Sequence, residues 1–336
     1  MSKVGVLGAG SWGTALAVLL CNNGHEVSLW SYSKSGVERL QADRENKSKL
    51  PGVTIQEEIL ITDDMEQAMK DKEILVLAVP SIHTRNIARS MKPFIEDGQI
   101  VVTVSKGIEE NTLKTLTEQI EEELPEADVA VLSGPSHAEE VGKGLPTTCV
   151  AGAKTKETAE FIQTTFMNEY FRVYTSSDVL GIEIGGALKN VIALAAGAAD
   201  GLGYGDNTKA ALITRGIAEI TRLGVKMGGK KESFSGLTGI GDLIVTCASV
   251  HSRNRKAGYL IGHGMTMKEA MEEVKMVVEG VYSAKAALAL SKKYNVSMPI
   301  IEQVNKVLFE NKSASEAVKD LMMREGRSEM TALDWD

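Results

Sequence analysis

The stretch VGVLGAGSWGTALA, residues 4–17, joins an apolar run to a glycine motif and then to an alanine-rich segment. Its glycines Gly8, Gly10 and Gly13 have the spacing G-x-G-x-x-G, which predicts a strand, a tight turn and a helix. Glycines let the backbone approach a pyrophosphate, and the helix N-terminus offers free N–H groups. We assign Gly8 to the turn, Gly10 to the close approach and Gly13 to the contact between helix and strand. This position favours a dinucleotide site over an ordinary glycine turn.

The first half of the chain alternates strand patterns with helix patterns. Short apolar runs typical of strands lie at 25–30, 73–80, 100–107, 129–135 and 147–153. A helix pattern rich in Glu, Lys and Leu covers 111–124. This alternation predicts an α/β Rossmann domain with a doubly wound, mostly parallel sheet, and ligands bind outside the carboxyl ends of such strands.

The character of the chain changes near residue 179, where strand patterns become scarce and long Ala- and Gly-rich segments begin. These segments predict helices that pack closely, and therefore an all-α C-terminal domain. We place the Rossmann dinucleotide-binding domain at 1–185 and the helical substrate-binding domain at 186–336.

The composition is that of an acidic globular protein of two domains. The chain has 336 residues and a formal net charge of -8, so an extended nucleic-acid surface is not expected. Cys21, Cys149 and Cys247 have neither disulfide nor metal-ligand spacing, which favours a reduced, cytoplasmic location and no metal site. We find no secretion signal, and no uninterrupted apolar run of the roughly 20 residues that a membrane helix needs. Stable membrane insertion is therefore not expected.

Lys189 is a polar residue in an apolar segment, with Leu188 before it and Val191 close after it. If the segment buries it, desolvation lowers its pKa and allows proton exchange near neutral pH. Periodicity alone favours a lysine on the exposed edge of the helix, because Glu183 and Asn190 indicate a polar side.

Residues 236–255 form a second unusual segment, GLTGIGDLIVTCASVHSRNR. Three glycines surround Asp242, and Ser252, Arg253 and Asn254 follow at a predicted helix start. Guanidinium groups and N-terminal backbone donors suit a phosphate. The alternative, a solvated loop whose arginines pair with carboxylates, has equal weight at this point.

Polar side chains also follow two predicted strands of the first domain. Lys106 comes after one strand, and Ser136 and His137 come after the next. We expect them at the carboxyl edge, where Lys106 reaches a substrate oxygen or phosphate and Ser136 donates to the substrate. For His137 we favour a structural role, the capping of a turn, over acid–base chemistry.

Together, eight ordered motifs resemble the bacterial type of NAD(P)-dependent glycerol-3-phosphate dehydrogenase, over residues 4 to 325. They are GAGSWGTALA, VSKGIE, LSGPSHAEEV, EIGGALKN, GLGYGDNTKAALITRG, FSGLTGIGDLIVTC, SVHSRNR and MVVEGV. The resemblance implies reversible reduction of dihydroxyacetone phosphate to sn-glycerol 3-phosphate with NADP or NAD, for phospholipid synthesis. It also implies a Rossmann domain followed by a helical domain.

The resemblance also implies roles for individual residues. Lys189 matches the catalytic lysine, which reverses the expectation from periodicity. The positions that match substrate contacts are Lys106, Gly134, Ser136, Lys189, Asp242, Ser252, Arg253 and Asn254. The positions expected to contact the cofactor are Gly8, Gly10, Ser11, Trp12, Gly13, Tyr32, Ser33, Lys106, Ala138, Arg253, Val277 and Glu279.

One departure from the family pattern concerns the choice of cofactor. The family commonly has a basic pair after the second strand, whereas Ser31, Tyr32, Ser33 and Lys34 follow Trp30 here. Neither an acidic residue that selects NAD nor an arginine that selects NADP is present. Tyr32 can stack on adenine and Lys34 can meet a 2′-phosphate, so the preference between NADH and NADPH stays open.

Two other functions remain as alternatives. A reductase of the same plan that acts on an unphosphorylated hydroxy acid would not need the cluster around Arg253. A cofactor-binding sensor without catalysis would not need Lys189 and Asp242. The sequence does not determine the oligomeric state, and a homodimer is one alternative.

Overall fold

The computed structural model describes residues 1–326, 328 and 329. Within these residues the strands are β1 (Lys3–Leu7), β2 (Glu26–Trp30), β3 (Glu45–Asn46), β4 (Leu50–Thr54), β5 (Leu60–Thr62), β6 (Ile74–Leu77), β7 (Ile100–Thr103), β8 (Asp128–Ser133), β9 (Thr147–Gly152) and β10 (Phe171–Ser176).

The helices alternate with the strands in the first half and then follow one another. They are α1 (Ser11–Asn22), α2 (Lys34–Asp43), α3 (Met65–Met69), α4 (Thr84–Met91), α5 (Leu116–Glu123), α6 (Ala138–Val141), α7 (Lys156–Phe166), α8 (Val179–Gly201), α9 (Asp206–Met227), α10 (Lys231–Phe234), α11 (Asp242–Ala248), α12 (Arg253–Gly262), α13 (Met267–Val274), α14 (Glu279–Lys293), α15 (Pro299–Phe309) and α16 (Ala314–Met322). The predicted α/β domain followed by an all-α region is confirmed.

Eight strands form one sheet in the order β10-β9-β8-β7-β6-β1-β2-β5, while β3 and β4 form a separate antiparallel pair. All neighbours in the large sheet are parallel except β8 and β9. The central strands are buried along their length, as expected for a sheet that helices cover on both faces. The carboxyl ends of β1, β2, β6, β7 and β8 therefore lie along one edge.

The glycine motif folds as its spacing predicts. Gly8 has φ +123°, a conformation that favours glycine, and a Cβ there would lie 2.5 Å from the carbonyl oxygen of Ala78. A Cβ at Gly13 would lie 1.8 Å from the carbonyl oxygen of Gly8. A Cβ at Gly10 would meet no atom within 4 Å, so space remains beside this backbone. The geometry agrees with the roles assigned to Gly8 and Gly13, and the close approach at Gly10 stays a prediction.

Helix α8 is the centre of the helical region. It is long and apolar enough to cross a membrane by length and composition, yet 83% of its apolar window is buried inside the protein. Helices α9, α11, α12 and α14 pack around it. The predicted domain boundary after residue 185 lies within this helix, and the division at that point stays a prediction.

Some details differ from the sequence-based expectation. Strands β3, β4, β5 and β10 are missing from the predicted strands, although buried and exposed residues alternate along the first four positions of β10, Phe171 to Tyr174. The predicted helix over 111–124 begins only at Leu116, because Leu113 has φ +62° and Thr115 forms a capping box with Glu118.

We expect Gly13→Ala to lower the free energy of unfolding by about 1–3 kcal/mol, because its Cβ overlaps a carbonyl oxygen and the helix must shift. Gly10→Ala is the matched control, since open space surrounds it, and it should cost less. Thermal or urea unfolding of both variants measures the difference. Equal stability of the two variants would contradict this assignment.

Candidate functional site

A buried carboxylate joins two lysines at the carboxyl edge of the sheet. Asp242, at the start of α11, is 1% exposed. Its Oδ2 lies 2.7 Å from Lys106 Nζ, and its Oδ1 lies 3.0 Å from Lys189 Nζ. Lys106 follows β7, whereas Lys189 lies in the middle of α8. The structure therefore brings together three residues that the sequence places far apart.

Lys189 is 6% exposed, so the interpretation from periodicity, a lysine on the exposed edge of the helix, is wrong. Glu183 and Asn190, which suggested a polar side, are also buried. Helix α8 has neighbours on several sides here, and its polar groups find partners in the interior instead of in solvent.

Burial lowers the pKa of Lys189 to about 8; Lys106 adds to this effect, and Asp242 opposes it. Burial by itself would raise the pKa of Asp242, but the two lysines hold it below its ordinary value. Asp242 thus stays ionised beside the two lysines, while Lys189 can gain and lose a proton near neutral pH.

Thr246 is a further member of this cluster that sequence reasoning missed. Lys189 Nζ donates to Thr246 Oγ1 at 2.6 Å, and this hydroxyl donates to the backbone carbonyl of Asp242 at 2.7 Å. Thr246 lies one turn after Asp242 on α11, so the i, i+4 spacing was the available signal. Its hydroxyl oxygen therefore fixes the orientation of the Lys189 ammonium group.

The loop after β8 lies against the same cluster. Lys106 Nζ donates to the carbonyl oxygen of Gly134 at 2.9 Å, and Ser136 Oγ donates to the same oxygen at 3.0 Å. Gly134 has φ +153°, and a Cβ there would lie 2.9 Å from Cys149 Cα. Lys106, Gly134 and Ser136 are therefore neighbours, as predicted.

His137 does not cap the turn through its side chain, which corrects the structural role we favoured. It occupies the N-cap position of α6, but only its backbone carbonyl accepts, from the N–H groups of Glu140 and Val141. Its Nε2 is buried and has no hydrogen-bond partner among the described residues.

The predicted phosphate cluster lies at the start of α12. Ser252 Oγ is the N-cap and accepts from the N–H of Arg255 at 3.2 Å. Asn254 is buried; its Nδ2 donates to Asn190 Oδ1 at 2.9 Å, and its Oδ1 accepts from Gly280 N–H at 2.8 Å. Arg253 is exposed.

The two arginines of this cluster have different environments. Arg255 pairs with Asp200 through Nε and a terminal nitrogen, at 2.8 and 2.7 Å. Arg253 forms no ion pair with any described residue, so its guanidinium is available to a ligand. The sequence left open that the arginines of this segment pair with carboxylates. Of the two, Arg255 does so, and Arg253 does not within the described part of the chain.

Glu279, at the start of α14, spans the two halves of the chain. Its Oε1 accepts from the N–H of Ser81 at 3.0 Å, and its Oε2 accepts a short bond from Ser81 Oγ. Burial raises the pKa of Glu279. Ser81 and Glu279 lie 198 positions apart in the chain, so no local sequence pattern predicts their contact. Val277 lies just before this helix and is partly buried.

A second glutamate, Glu183, is buried and also joins the two halves. Glu183 of α8 accepts from Thr117 N–H at 2.9 Å and from Thr117 Oγ1 at 2.5 Å, at the start of α5. Burial raises the pKa of Glu183 to about 7. It attaches the helix that carries Lys189 to the sheet domain.

The remaining predicted cofactor positions lie at the same edge of the sheet. Ser11 begins α1, and its buried Oγ has no partner among the described residues. Trp12 and Ala138 pack against the sheet core. Tyr32 is 84% exposed, and Ser33 Oγ caps α2 by accepting from the N–H of Gly36. The described residues contain no group of His, Cys, Asp and Glu suited to a metal ion.

Comparison with protein families agrees with this geometry. The N-terminus of NAD-dependent glycerol-3-phosphate dehydrogenase matches residues 3–159, and the C-terminus of the same family matches residues 178–319. The chain belongs to this family.

Members of this family from other bacteria resemble the chain over nearly its whole length. Glycerol-3-phosphate dehydrogenase (NAD(P)+) of Agathobacter rectalis is 65% identical over 100% of both chains, and that of Bacillus subtilis is 53% identical over 99% and 97%. The crystal structure of glycerol-3-phosphate dehydrogenase from Coxiella burnetii has a TM-score of 0.93 at 36% identity and covers 96% of this chain and 99% of that chain.

Proposed function

We propose that this glycerol-3-phosphate dehydrogenase family member catalyses the reversible reduction of dihydroxyacetone phosphate to sn-glycerol 3-phosphate with NADPH or NADH, and so supplies glycerophospholipid synthesis. The observation that carries the proposal is the Lys106–Asp242–Lys189 cluster, which lies at the same carboxyl edge of the sheet as the glycine loop. It provides a titrating lysine at the sheet edge where a dinucleotide binds.

The residues of the glycine loop fit a dinucleotide. Open space beside Gly10 leaves room for a pyrophosphate, and the buried hydroxyl of Ser11 has no partner among the described residues. The first turn of α1, Ser11 to Gly13, would hold the pyrophosphate through backbone N–H groups, whereas the N–H of Gly8 donates to the carbonyl oxygen of Trp30 and Gly8 shapes the turn. When bound, the reduced nicotinamide supplies the hydride that adds to the carbonyl carbon.

Lys189 moves the proton. In reduction its ammonium group donates a proton to the oxygen that becomes the C2 hydroxyl, and in oxidation the neutral amine removes that proton. Lys106 supplies positive charge where the alkoxide develops. Asp242 orients both ammonium groups, and Thr246 fixes the direction of Lys189.

Arg253 binds the phosphate of the substrate. Its guanidinium is exposed, forms no ion pair among the described residues and lies in the first turn of α12, whose backbone donors add to its charge. Ser252, Asn254, Gly134 and Ser136 complete the proposed substrate contacts.

The cofactor preference is proposed to be weak. Lys34 is exposed at the first position of α2, next to Ser33, and binds a 2′-phosphate as a point charge. Tyr32 is free to stack on adenine. The proposed cofactor contacts also include Val277, Glu279 and Ala138.

The proposed location is the cytoplasm, since the free cysteines suit a reducing compartment. The substrate is a small molecule, and we propose neither a nucleic-acid partner nor stable membrane insertion. Assembly as a homodimer stays a prediction.

We expect Lys189→Met to lower turnover with dihydroxyacetone phosphate by roughly a hundredfold or more, because it removes the proton donor. NADPH binding, followed by nucleotide fluorescence, should change little. Absorbance of NADPH measures turnover for wild type and variant. Turnover within a few-fold of wild type would remove Lys189 from this role, and no NADPH consumption by the wild type would support a sensor instead.

We expect Arg253→Ala to reduce kcat/KM for dihydroxyacetone phosphate by roughly tenfold to a hundredfold, as for loss of a hydrogen bond to a charged group. Unphosphorylated dihydroxyacetone should lose far less. Arg255→Ala is the comparison variant, since Arg255 pairs with Asp200 and should act through stability. An equal loss for both substrates in Arg253→Ala would place Arg253 in cofactor binding or folding.

A further inference from the structure

The imidazole of His137 has a polar atom that the fold does not use. Its Nε2 is buried and has no hydrogen-bond partner among the described residues, although His137 occupies the N-cap position of α6. Buried polar atoms are nearly always satisfied, and an exception requires an explanation such as a ligand. The side chain is therefore available to a molecule bound in the site.

His137 has neighbours in both parts of the proposed substrate site. Its loop is fixed to the lysine cluster, because Lys106 Nζ donates to the Gly134 carbonyl oxygen at 2.9 Å. Its ring lies beside that of His251, with 5.9 Å between the ring centroids and an angle of 56° between the ring planes. His251 directly precedes Ser252 and Arg253 in the chain. His137 is therefore near the lysines on one side and the start of the Arg253 segment on the other.

The helical domain supplies only some of the hydrogen bonds that a phosphate can accept. Ser252 Oγ accepts from Arg255 N–H and keeps its own hydroxyl proton, and Asn254 Nδ2 donates one of its two N–H groups to Asn190. A phosphate dianion carries three strong acceptor oxygens, which can accept more hydrogen bonds than these two groups and Arg253 provide. A donor from the sheet domain would add to them.

The charge state of His137 suits a neutral donor. Burial lowers its pKa, and the positive charges of Lys189 and Lys106 lower it further, while Glu139 and Asp242 oppose them. A neutral imidazole carries one N–H, and its proton can reside on Nε2. This donor adds a hydrogen bond without adding a third positive charge beside the lysines.

We propose that His137 determines specificity for a phosphorylated substrate: its Nε2–H donates to an oxygen of the phosphate that Arg253 binds. This inference rests on the proposed function and adds to it a phosphate contact from the sheet domain. Substrate binding thereby joins the loop after β8 to the start of α12, so the phosphate holds the two domains together.

The test compares His137→Phe, which keeps an aromatic ring and removes both nitrogens, with the wild type. Steady-state kinetics use dihydroxyacetone phosphate and unphosphorylated dihydroxyacetone at saturating NADPH. We expect kcat/KM for the phosphorylated substrate to fall roughly tenfold or more, chiefly through KM, and that for dihydroxyacetone to change less than about twofold. The inhibition constant of inorganic phosphate should rise in parallel.

Two further variants separate a ligand contact from a structural role. His137→Gln places an amide nitrogen near the position of Nε2 and should restore part of the loss, whereas His251→Phe keeps the ring contact and should retain phosphate discrimination. An equal loss for both substrates in His137→Phe, or no loss for either, would overturn the inference.

Failure of the proposed function is visible separately, because the wild type would then consume no NADPH with dihydroxyacetone phosphate. Calorimetric titration of inorganic phosphate into wild type and His137→Phe still decides the inference in that case. Weaker binding by the variant supports the contact, and equal binding overturns it.

Discussion

One carboxylate that serves two lysines is the constraint on which the site depends. Asp242 is buried between Lys106 of the sheet domain and Lys189 of the helical domain, at 2.7 and 3.0 Å. Removing one partner from a buried ion pair costs about 3–5 kcal/mol, because a charge is left uncompensated. The cluster therefore ties the domains together and retains one excess positive charge, which favours an anionic oxygen at this point.

Two further carboxylates of the helical domain also bind groups of the sheet domain. Glu183 accepts two hydrogen bonds from Thr117, and Glu279 accepts two from Ser81, so carboxylates of the helical domain satisfy groups at helix starts in the sheet domain. The Glu183 contact fixes helix α8, and with it Lys189, relative to the sheet domain, and the Glu279 contact does the same for α14. The carboxylate contacts that hold the two domains together thus also position the lysine at their interface.

The sequence predicted what depends on local spacing and missed what depends on contacts across the chain. The roles of Gly8 and Gly13 follow from the motif, since sterics within one turn decide them. Burial of Lys189 did not follow, because periodicity within one helix cannot show that neighbours surround it. The Ser81–Glu279 contact joins distant segments and has no local pattern. The family resemblance supplied the site residues that local patterns could not.

The pH dependence of kcat/KM in both directions tests the central claim, proton transfer by Lys189, most directly. Burial places the pKa of Lys189 at about 8. Reduction needs the ammonium form, so its kcat/KM should fall as the pH rises through about 8; oxidation needs the amine, so its kcat/KM should rise over the same interval. Opposite bends at a shared pKa are the predicted result. Profiles that bend in the same direction, or that stay flat between pH 7 and about 9 in both directions, would contradict the account.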